Sequence, residues 1–167
     1  MTEPLEIERK YLIRRPDPAV LAGTQTYTME QTYLTAPEGI TARVRRRFHD
    51  GQEEFFYTEK EHRTAVTCVE REKRVDRETY ECLLTRRRSD SRTICKTRCC
   101  LMHEGLVFEI DIYPFWEQIA VMEVELSCEE QVFTLPPQIT VIREVSGDKR
   151  LKNAALARCI PEEEDLL

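Results

Sequence analysis

The sequence of 167 residues contains no long hydrophobic run, and this absence limits where the protein can work. No apolar stretch approaches the roughly 20 residues that a membrane-spanning helix needs. The acidic opening MTEPLEIE also lacks the basic and apolar regions of a secretory signal. We therefore expect a cytoplasmic protein without a membrane partner.

Glycine is scarce, with five residues, and no low-complexity tract interrupts the chain. Flexible tracts of that kind mark the linkers between domains. We therefore expect one domain over residues 1–160, long enough to bury a core. Residues 161–167, PEEEDLL, read as an acidic C-terminal tail that we expect to be frayed and solvated.

The usual sequence signatures of zinc and nucleotide sites are missing. The seven cysteines form no C-x-x-C pair, and His49, His62 and His103 are too far apart for a local H-x-x-x-H motif. We expect reduced, partly buried cysteines. The segment SGDK lacks the G-x-x-x-x-G-K-[ST] pattern of a P-loop.

Basic residues do not predominate. The 25 lysines and arginines are outnumbered by 31 acidic residues, which gives a net charge of −6 and a sequence pI near 5.3. This balance argues against a nucleic-acid partner or an anionic membrane surface. The sequence leaves the oligomeric state open, and a homodimer is compatible with it.

Strand-like segments, in contrast, are abundant. Eight segments alternate in polarity: 4–14, 26–35, 40–48, 53–60, 65–75, 92–101, 106–113 and 118–127. Helical patterns cover 17–23, 76–88 with Asp76 as the N-cap, 128–134 and 148–158. The connections are too short for repeated βαβ crossovers, so we predict a mainly β (α+β) fold, either an antiparallel sheet or a closed barrel.

Most of these strands carry one charged face. In LEIERKYLI, Glu6, Glu8 and Lys10 share a face, because alternate side chains of a strand point the same way. The same spacing recurs in six other segments, with Arg43, Arg45 and Arg47; Thr58 and Lys60; Glu70, Glu72 and Arg74; Lys96 and Arg98; Glu109 and Asp111; and Glu123 and Glu125. Periodicity alone fits both a sandwich with solvated charges and a barrel with a charged lumen.

Charges of one sign are grouped together in these faces, and like charges repel unless an opposite charge lies between them. Carboxylates two residues apart suit a hard divalent cation such as Mg²⁺ or Mn²⁺. Arginine and lysine pairs suit phosphate oxygens. An anionic phosphate chain bound together with a divalent metal would meet both demands.

The pentapeptide EIERK resembles the E-x-E-x-K signature of the CYTH superfamily, the triphosphate tunnel metalloenzymes. EQTYLT, ARVRRR, YTEK, ICKTR, FEIDIY, MEVEL and EVSGDKRLKNAALA follow in that family's order over nearly the whole chain. The closing segment is similar to the small bacterial single-domain members. The resemblance implies an eight-stranded antiparallel tunnel with inward charges, flanking helices and metal-dependent cleavage of a triphosphate.

The resemblance also implies roles for particular residues. Metal ligands correspond to Glu6, Glu8 and Glu125, with Glu123 beside them. Substrate-binding residues correspond to Lys10, Arg43, Arg45, Lys60, Lys96 and Arg98. Candidate catalytic residues are Lys10, Tyr33 and Glu123. Further positions, with less definite roles, are Glu70, Glu72, Glu109, Asp111, Lys149 and Arg150.

The chain departs from the family pattern at Leu151, where many relatives have an aromatic residue, and at the triple arginine Arg45–Arg47, which leaves substrate preference open. The leading hypothesis is an inorganic triphosphatase that cleaves tripolyphosphate to pyrophosphate and phosphate. The alternatives are an adenylate cyclase, a thiamine or nucleoside triphosphatase, and a non-catalytic module that binds polyphosphate or nucleotide.

Overall fold

The computed structural model describes residues 4–167, and nearly half of these lie in β-strands. The strands are β1 (Leu5–Arg14), β2 (Gln25–Leu34), β3 (Ile40–His49), β4 (Gln52–His62), β5 (Thr67–Val75), β6 (Ile94–His103), β7 (Leu106–Ile112), β8 (Ile119–Leu126) and β9 (Val141–Glu144). Helix α1 (Arg77–Leu84) separates β5 from β6, and the short helix α2 (Asn153–Leu156) follows β9. Short 3-10 helices lie at Lys149–Leu151 and Glu163–Asp165.

Strands β1 to β8 close into an antiparallel barrel. The order around the barrel is β1, β8, β7, β6, β2, β3, β4 and β5, and β5 pairs again with β1. The predicted eight-stranded antiparallel tunnel is therefore confirmed. Closure settles the choice that periodicity left open, because one face of every strand now points into an enclosed lumen.

The ninth strand was not predicted. It pairs with Tyr11–Ile13 of β1, along the edge that β5 covers only at Leu5–Ile7. Between these two pairings, the backbone N–H of Lys10 donates to Ser146 Oγ at 3.0 Å, and the N–H of Val145 donates to the Lys10 carbonyl at 2.7 Å. The segment after β8 thus completes the hydrogen bonding of β1.

The outward faces of the strands are apolar and are covered by the connecting segments. Tyr80 of α1 packs with Val44 and Phe55 of the barrel. On the opposite side, Phe108 and Ile110 belong to a core cluster that includes the side chains at 20–21 and 133–141. These covers explain how a barrel with a charged lumen still buries a hydrophobic core.

Toward one end of the barrel, the inward positions change from charged to apolar. Leu12 follows Lys10 on the inward face of β1, and Ile94 precedes Lys96 on β6. Both are buried in one cluster with Leu151 and Leu156 of the C-terminal segment. Leu151, the residue at which this chain departs from the family pattern, therefore has a packing role.

Of the predicted helices, the one opened by Asp76 is confirmed. Asp76 Oδ1 accepts the N–H of Thr79 at 2.8 Å, and α1 ends at Leu84 instead of 88. The region predicted as a helix over 148–158 contains the 3-10 helix Lys149–Leu151 and then α2. Asp148 caps the first of these by accepting the N–H of Arg150 at 3.0 Å.

The helices predicted over 17–23 and 128–134 are wrong. Residues 17–22 form successive turns, such as Val20 N–H to the Asp17 carbonyl, and Gly23 ends them with a φ of +77°. A proline-containing segment of this length forms too few helical hydrogen bonds to offset the free-energy cost of helix nucleation. In the second segment the backbone forms a turn, with the N–H of Gln131 donating to the Cys128 carbonyl at 3.2 Å, and continues as irregular chain.

The expectation of a frayed C-terminal tail is also wrong. Leu166 is 1% exposed and belongs to the core cluster of Leu151 and Leu156. Glu163 Oε1 accepts the N–H of Gln118 at 2.6 Å and of Ile119 at 2.9 Å. The buried Leu166 side chain and the Glu163 carboxylate together anchor this segment to the barrel. Within residues 4–167, no helix combines the length and apolar character needed to cross a membrane.

We expect Leu166→Ala to lower the free energy of unfolding by about 2 kcal/mol or more, because it leaves a cavity in a closed cluster. Leu167→Ala is the matched control, since Leu167 is 47% exposed. Urea denaturation followed by the fluorescence of Trp116, the single tryptophan, measures both. Equal stability of the two variants would contradict the packing of the tail.

Candidate active site in the barrel lumen

The lumen holds a cavity of about 340 Å³ lined mainly by charged side chains. Its walls come from the inward faces of the strands, together with residues 62–68 and 146–154. The predicted site residues that line the cavity are Glu6, Glu8, Lys10, Tyr33, Arg43, Arg45, Lys60, Glu70, Glu72, Arg98, Glu109, Glu123 and Glu125. Residues from all eight strands of the barrel thus meet in one enclosed space.

Four predicted site residues do not line the cavity. Lys96 and Asp111 are buried behind it, with side chains 1% and 0% exposed. Arg150 is exposed and pairs with Asp148, and Lys149 lies beside it in the 3-10 helix. These placements assign Lys96 and Asp111 to the support of the lumen wall and put Lys149 and Arg150 outside the cavity.

Several cations of the lumen are paired with carboxylates. Lys60 pairs with both Glu6 and Glu70, the latter at 2.6 Å. Arg45 donates to both carboxylate oxygens of Glu72 at 3.0 Å. Because these groups also border the cavity, an anionic ligand can compete for the cations and a metal ion for the acids.

Glu123 lies at the centre of another group. Its carboxylate contacts Lys10 at 2.9 Å and Arg98 at 3.0 Å, and it is 6% exposed. Burial alone would raise the pKa of Glu123, but Lys10, Arg98 and Lys96 lower it well below its usual value. Glu123 is therefore ionised and fixes the positions of the Lys10 and Arg98 side chains at the cavity wall.

Arg98 also connects this group to Lys96 and Asp111, which are buried behind the cavity wall and form a triad with it. Arg98 donates to both oxygens of Asp111 at 2.7 Å, and Lys96 contacts the same carboxylate at 2.5 Å. Burial and the neighbouring Arg98 lower the pKa of Lys96 to about 8. Although burial raises the pKa of Asp111, Arg98 and Lys96 lower it overall. Asp111 is thus held by a bidentate arginine and a lysine, and these contacts offset the cost of its burial.

Carboxylates concentrate on the opposite wall. Glu8 of β1 stands directly opposite Glu125 of β8, and Glu109 of β7 faces Glu123. Burial raises the pKa of Glu8, Glu109 and Glu125, and repulsion from neighbouring acids adds to it. Among the described residues, Glu125 has no ion-pair partner, and the nearest cation to Glu8 is Lys10 at 4.0 Å. Mutually repelling carboxylate oxygens are the donor set that fits a hard divalent cation.

The carboxylates are not arranged as a finished metal cage. Across residues 4–167, no group of three or more acidic, histidine or cysteine side chains is positioned to hold a metal ion. One reason is visible at Glu6, whose carboxylate is engaged by Lys60 and by the Cys68 thiol at 3.2 Å. Burial raises the pKa of Cys68 to about 12, so the thiol stays protonated and donates to Glu6.

Sequence reasoning missed part of the cavity wall. Lys152 contributes a cation at 3.4 Å from His62 Nδ1, and Ser146, Asp148 and Asn153 line the cavity nearby. These residues follow β9 and do not share the period of two that identified the strands. In the sequence, they were indicated only by the likeness of the closing segment to the CYTH superfamily.

The comparisons with known proteins agree with the barrel fold. The chain is 33% identical over 161 residues to an inorganic triphosphatase of Nitrosomonas europaea, which covers 93% of this chain and 99% of the relative. A solved structure of an inorganic triphosphatase superposes with a TM-score of 0.57 at 32% identity, covering 94% of this chain and 97% of the other. A Pyrococcus horikoshii structure shares the fold, with a TM-score of 0.58, 20% identity and coverage of 75% and 80%. No family model matches the chain.

A closed antiparallel barrel with opposed acidic and basic walls defines the class of the triphosphate tunnel proteins. Together with the relationship to the inorganic triphosphatase over almost the full length of both chains, this places the protein in the CYTH superfamily.

We expect Asp111→Asn to destabilise the fold by about 3–5 kcal/mol, because it leaves Lys96 and Arg98 buried without their anion. The folded-state pKa of Asp111 is lowered, so its contribution is complete above its unfolded pKa of about 3.9 and is lost as the pH falls further. The difference in the free energy of unfolding between wild type and Asp111→Asn should be constant from about pH 5 to 7 and shrink below about pH 4.

The control is Asp90→Asn, which breaks the exposed pair of Asp90 with Arg88. Solvent screening leaves such pairs little net effect, so this variant should unfold like wild type. Denaturant titrations at several pH values measure both variants. A loss of stability at Asp90 equal to that at Asp111 would contradict the structural role given to the buried triad.

Proposed function

We propose that the protein hydrolyses inorganic tripolyphosphate to pyrophosphate and phosphate, with Mg²⁺ or Mn²⁺ as cofactor. The observation that carries the proposal is the enclosed lumen, where lysines and arginines from several strands face a group of carboxylates. A linear polyanion bound together with a divalent cation would neutralise both walls, the polyanion pairing with the lysines and arginines and the cation with the carboxylates. The relationship to an inorganic triphosphatase over 93% of the chain supports the same assignment.

The phosphate chain is proposed to bind along the basic side of the lumen. The residues proposed to contact it are Lys10, Arg43, Arg45, Lys60 and Arg98. Arg43 is the most available of them, because its nearest described carboxylate, Glu70, is 4.0 Å away. Phosphate oxygens would replace Glu72 on Arg45, and Glu6 and Glu70 on Lys60. Lys96 supports this wall from behind through Asp111 and Arg98.

The metal is proposed to be held by Glu6, Glu8 and Glu125, which face the cavity from β1 and β8. When Lys60 turns to phosphate, Glu6 becomes available to join the other two. A bound divalent cation would supply charge neutralisation for the phosphate oxygens. Glu123 is proposed to keep Lys10 and Arg98 in place, and Glu109 to lie beside the ligand set.

Cleavage breaks the bond between the terminal phosphorus and its bridging oxygen while a water oxygen attacks that phosphorus. The transition state is loose and spreads negative charge over the peripheral oxygens, so catalysis depends on positioning and charge neutralisation. Lys10, Arg43 and Arg45 are proposed to supply these at the lumen wall. Tyr33, which lies directly opposite Arg43 in the sheet, is proposed to act near the leaving group.

The lining of the cavity favours an inorganic substrate. Among its described residues, Tyr33 and His62 are the only aromatic ones. Nucleobases and similar rings bind best on stacking platforms of aromatic side chains, and Tyr33 is itself only 5% exposed. Adenylate cyclase, thiamine triphosphatase and nucleoside triphosphatase activities have less support from this lining, and the assay below distinguishes them.

Incubation of the purified protein with tripolyphosphate, ATP or thiamine triphosphate, each with Mg²⁺ or Mn²⁺, tests the proposal. Separation of the products should show phosphate and pyrophosphate from tripolyphosphate as the fastest reaction. Cyclic AMP from ATP would indicate a cyclase, and binding without turnover would indicate a non-catalytic module. A single domain over residues 1–160, a cytoplasmic location, the lack of nucleic-acid and membrane partners, and the oligomeric state stay predictions.

We expect Glu125→Gln to lower metal-dependent hydrolysis roughly 100-fold or more, because a bound metal contributes several kcal/mol to the transition state. The variant should be at least as stable as wild type at pH 7, since like-charge repulsion and burial already raise the pKa of Glu125. Glu117→Gln, at an exposed position outside the cavity, is the control. Near-normal turnover in Glu125→Gln would refute the metal-binding role.

A further inference from the structure

Gln31 of β2 is a buried polar side chain that the proposed function does not use. It is 0% exposed, and neither its side-chain oxygen nor its side-chain nitrogen has a hydrogen-bond partner among the described residues. A buried amide without partners is costly, and native structures retain few of them. Gln31 shares the inward face of β2 with Tyr33, which lines the cavity.

Two other unpartnered groups lie on the neighbouring strand. The Nε–H groups of Arg43 and Arg45 are buried and have no acceptor within the described part of the chain. Gln31 stands directly opposite Arg45 in the register of β2 and β3, whereas Arg43 stands opposite Tyr33. Side chains at directly opposed positions start about 5 Å apart, within reach of a glutamine and an arginine. An unused acceptor and an unused donor are therefore neighbours.

The present partners of Arg45 explain why this bond is not made. One terminal nitrogen of Arg45 donates to both oxygens of Glu72, and the guanidinium lies 5.3 Å from the Phe56 ring centroid. Glu72 in turn accepts the hydroxyl of Thr58 at 2.7 Å. The carboxylate therefore fixes the direction in which the guanidinium points.

We propose that Gln31 is a positioning residue for Arg45 in the phosphate-bound state, an inference that rests on the proposed function. When phosphate oxygens replace Glu72, the Gln31 side-chain oxygen accepts the Nε–H of Arg45. The guanidinium is then held along its Nε edge, and its terminal nitrogens are left for the phosphate chain. Gln31 itself stays behind the lumen wall and acts through the arginine.

The test is a double-mutant cycle of Gln31→Met with Arg45→Lys. Methionine has the length of glutamine but accepts hydrogen bonds only weakly, and lysine keeps the charge of arginine but lacks an Nε–H. In the wild-type background, we expect Gln31→Met to raise the KM for tripolyphosphate roughly tenfold with little change in kcat. In the Arg45→Lys background, it should change KM less than about twofold.

Gln25→Met, at an exposed position on the same strand, is the matched control and should leave KM unchanged. The thermal unfolding midpoint of Gln31→Met should equal or exceed that of wild type, because a buried amide without partners is removed. An unchanged KM in Gln31→Met, or an equal effect in both backgrounds, would overturn the role of Gln31.

The same cycle can be read from the affinity for tripolyphosphate in the presence of EDTA, measured by calorimetry. This readout separates the two proposals. If the wild-type protein binds tripolyphosphate but does not hydrolyse it when Mg²⁺ or Mn²⁺ is present, the proposed function fails. The coupling between Gln31 and Arg45 in the binding affinity still decides the inference.

Discussion

The structure depends on one electrostatic constraint: many ionised side chains of both signs are enclosed in a small barrel, away from bulk water. Such burial is unfavourable unless each carboxylate meets a cation or a hydrogen-bond donor and each cation meets an anion or a hydrogen-bond acceptor. The barrel meets this demand by placing lysines and arginines of β1, β3, β4 and β6 against acids of β1, β5, β7 and β8. The roles proposed for the site residues follow from which charges are fully paired and which are not.

The ion pairs of the barrel fall into two kinds. Lys96 and Asp111 are buried behind the cavity, where no ligand can compete for them, and Asp111 holds Arg98, which borders the cavity, from behind. The pair of Arg45 with Glu72 borders the cavity, so its partners can be exchanged. The first kind maintains the shape of the wall, and the second keeps the ligand-binding groups charged and extended until a polyanion and a cation replace their partners.

The balance is incomplete in two places, and these are the places where function is proposed. Glu8 and Glu125 repel each other on the acidic wall, which creates a demand for positive charge. Arg43 and Arg45 have unused donors on the basic wall, next to the unused amide of Gln31. A polyphosphate with a divalent cation would satisfy the charged groups on both sides, and a rearranged Arg45 would satisfy the amide oxygen of Gln31.

The sequence by itself determined eight of the nine strands and which side chains share one face of each of them, because a period of two is a local property of the backbone. It could not show whether Glu6, Lys10, Arg45 and Glu125 point to solvent or to a common axis, since sheet closure depends on pairings between distant strands. Likeness to a family supplied that step. Only the tertiary structure placed Lys96 behind the wall, brought Lys152 to His62, and packed Leu166 into the core, because burial and partner choice depend on contacts across the whole chain.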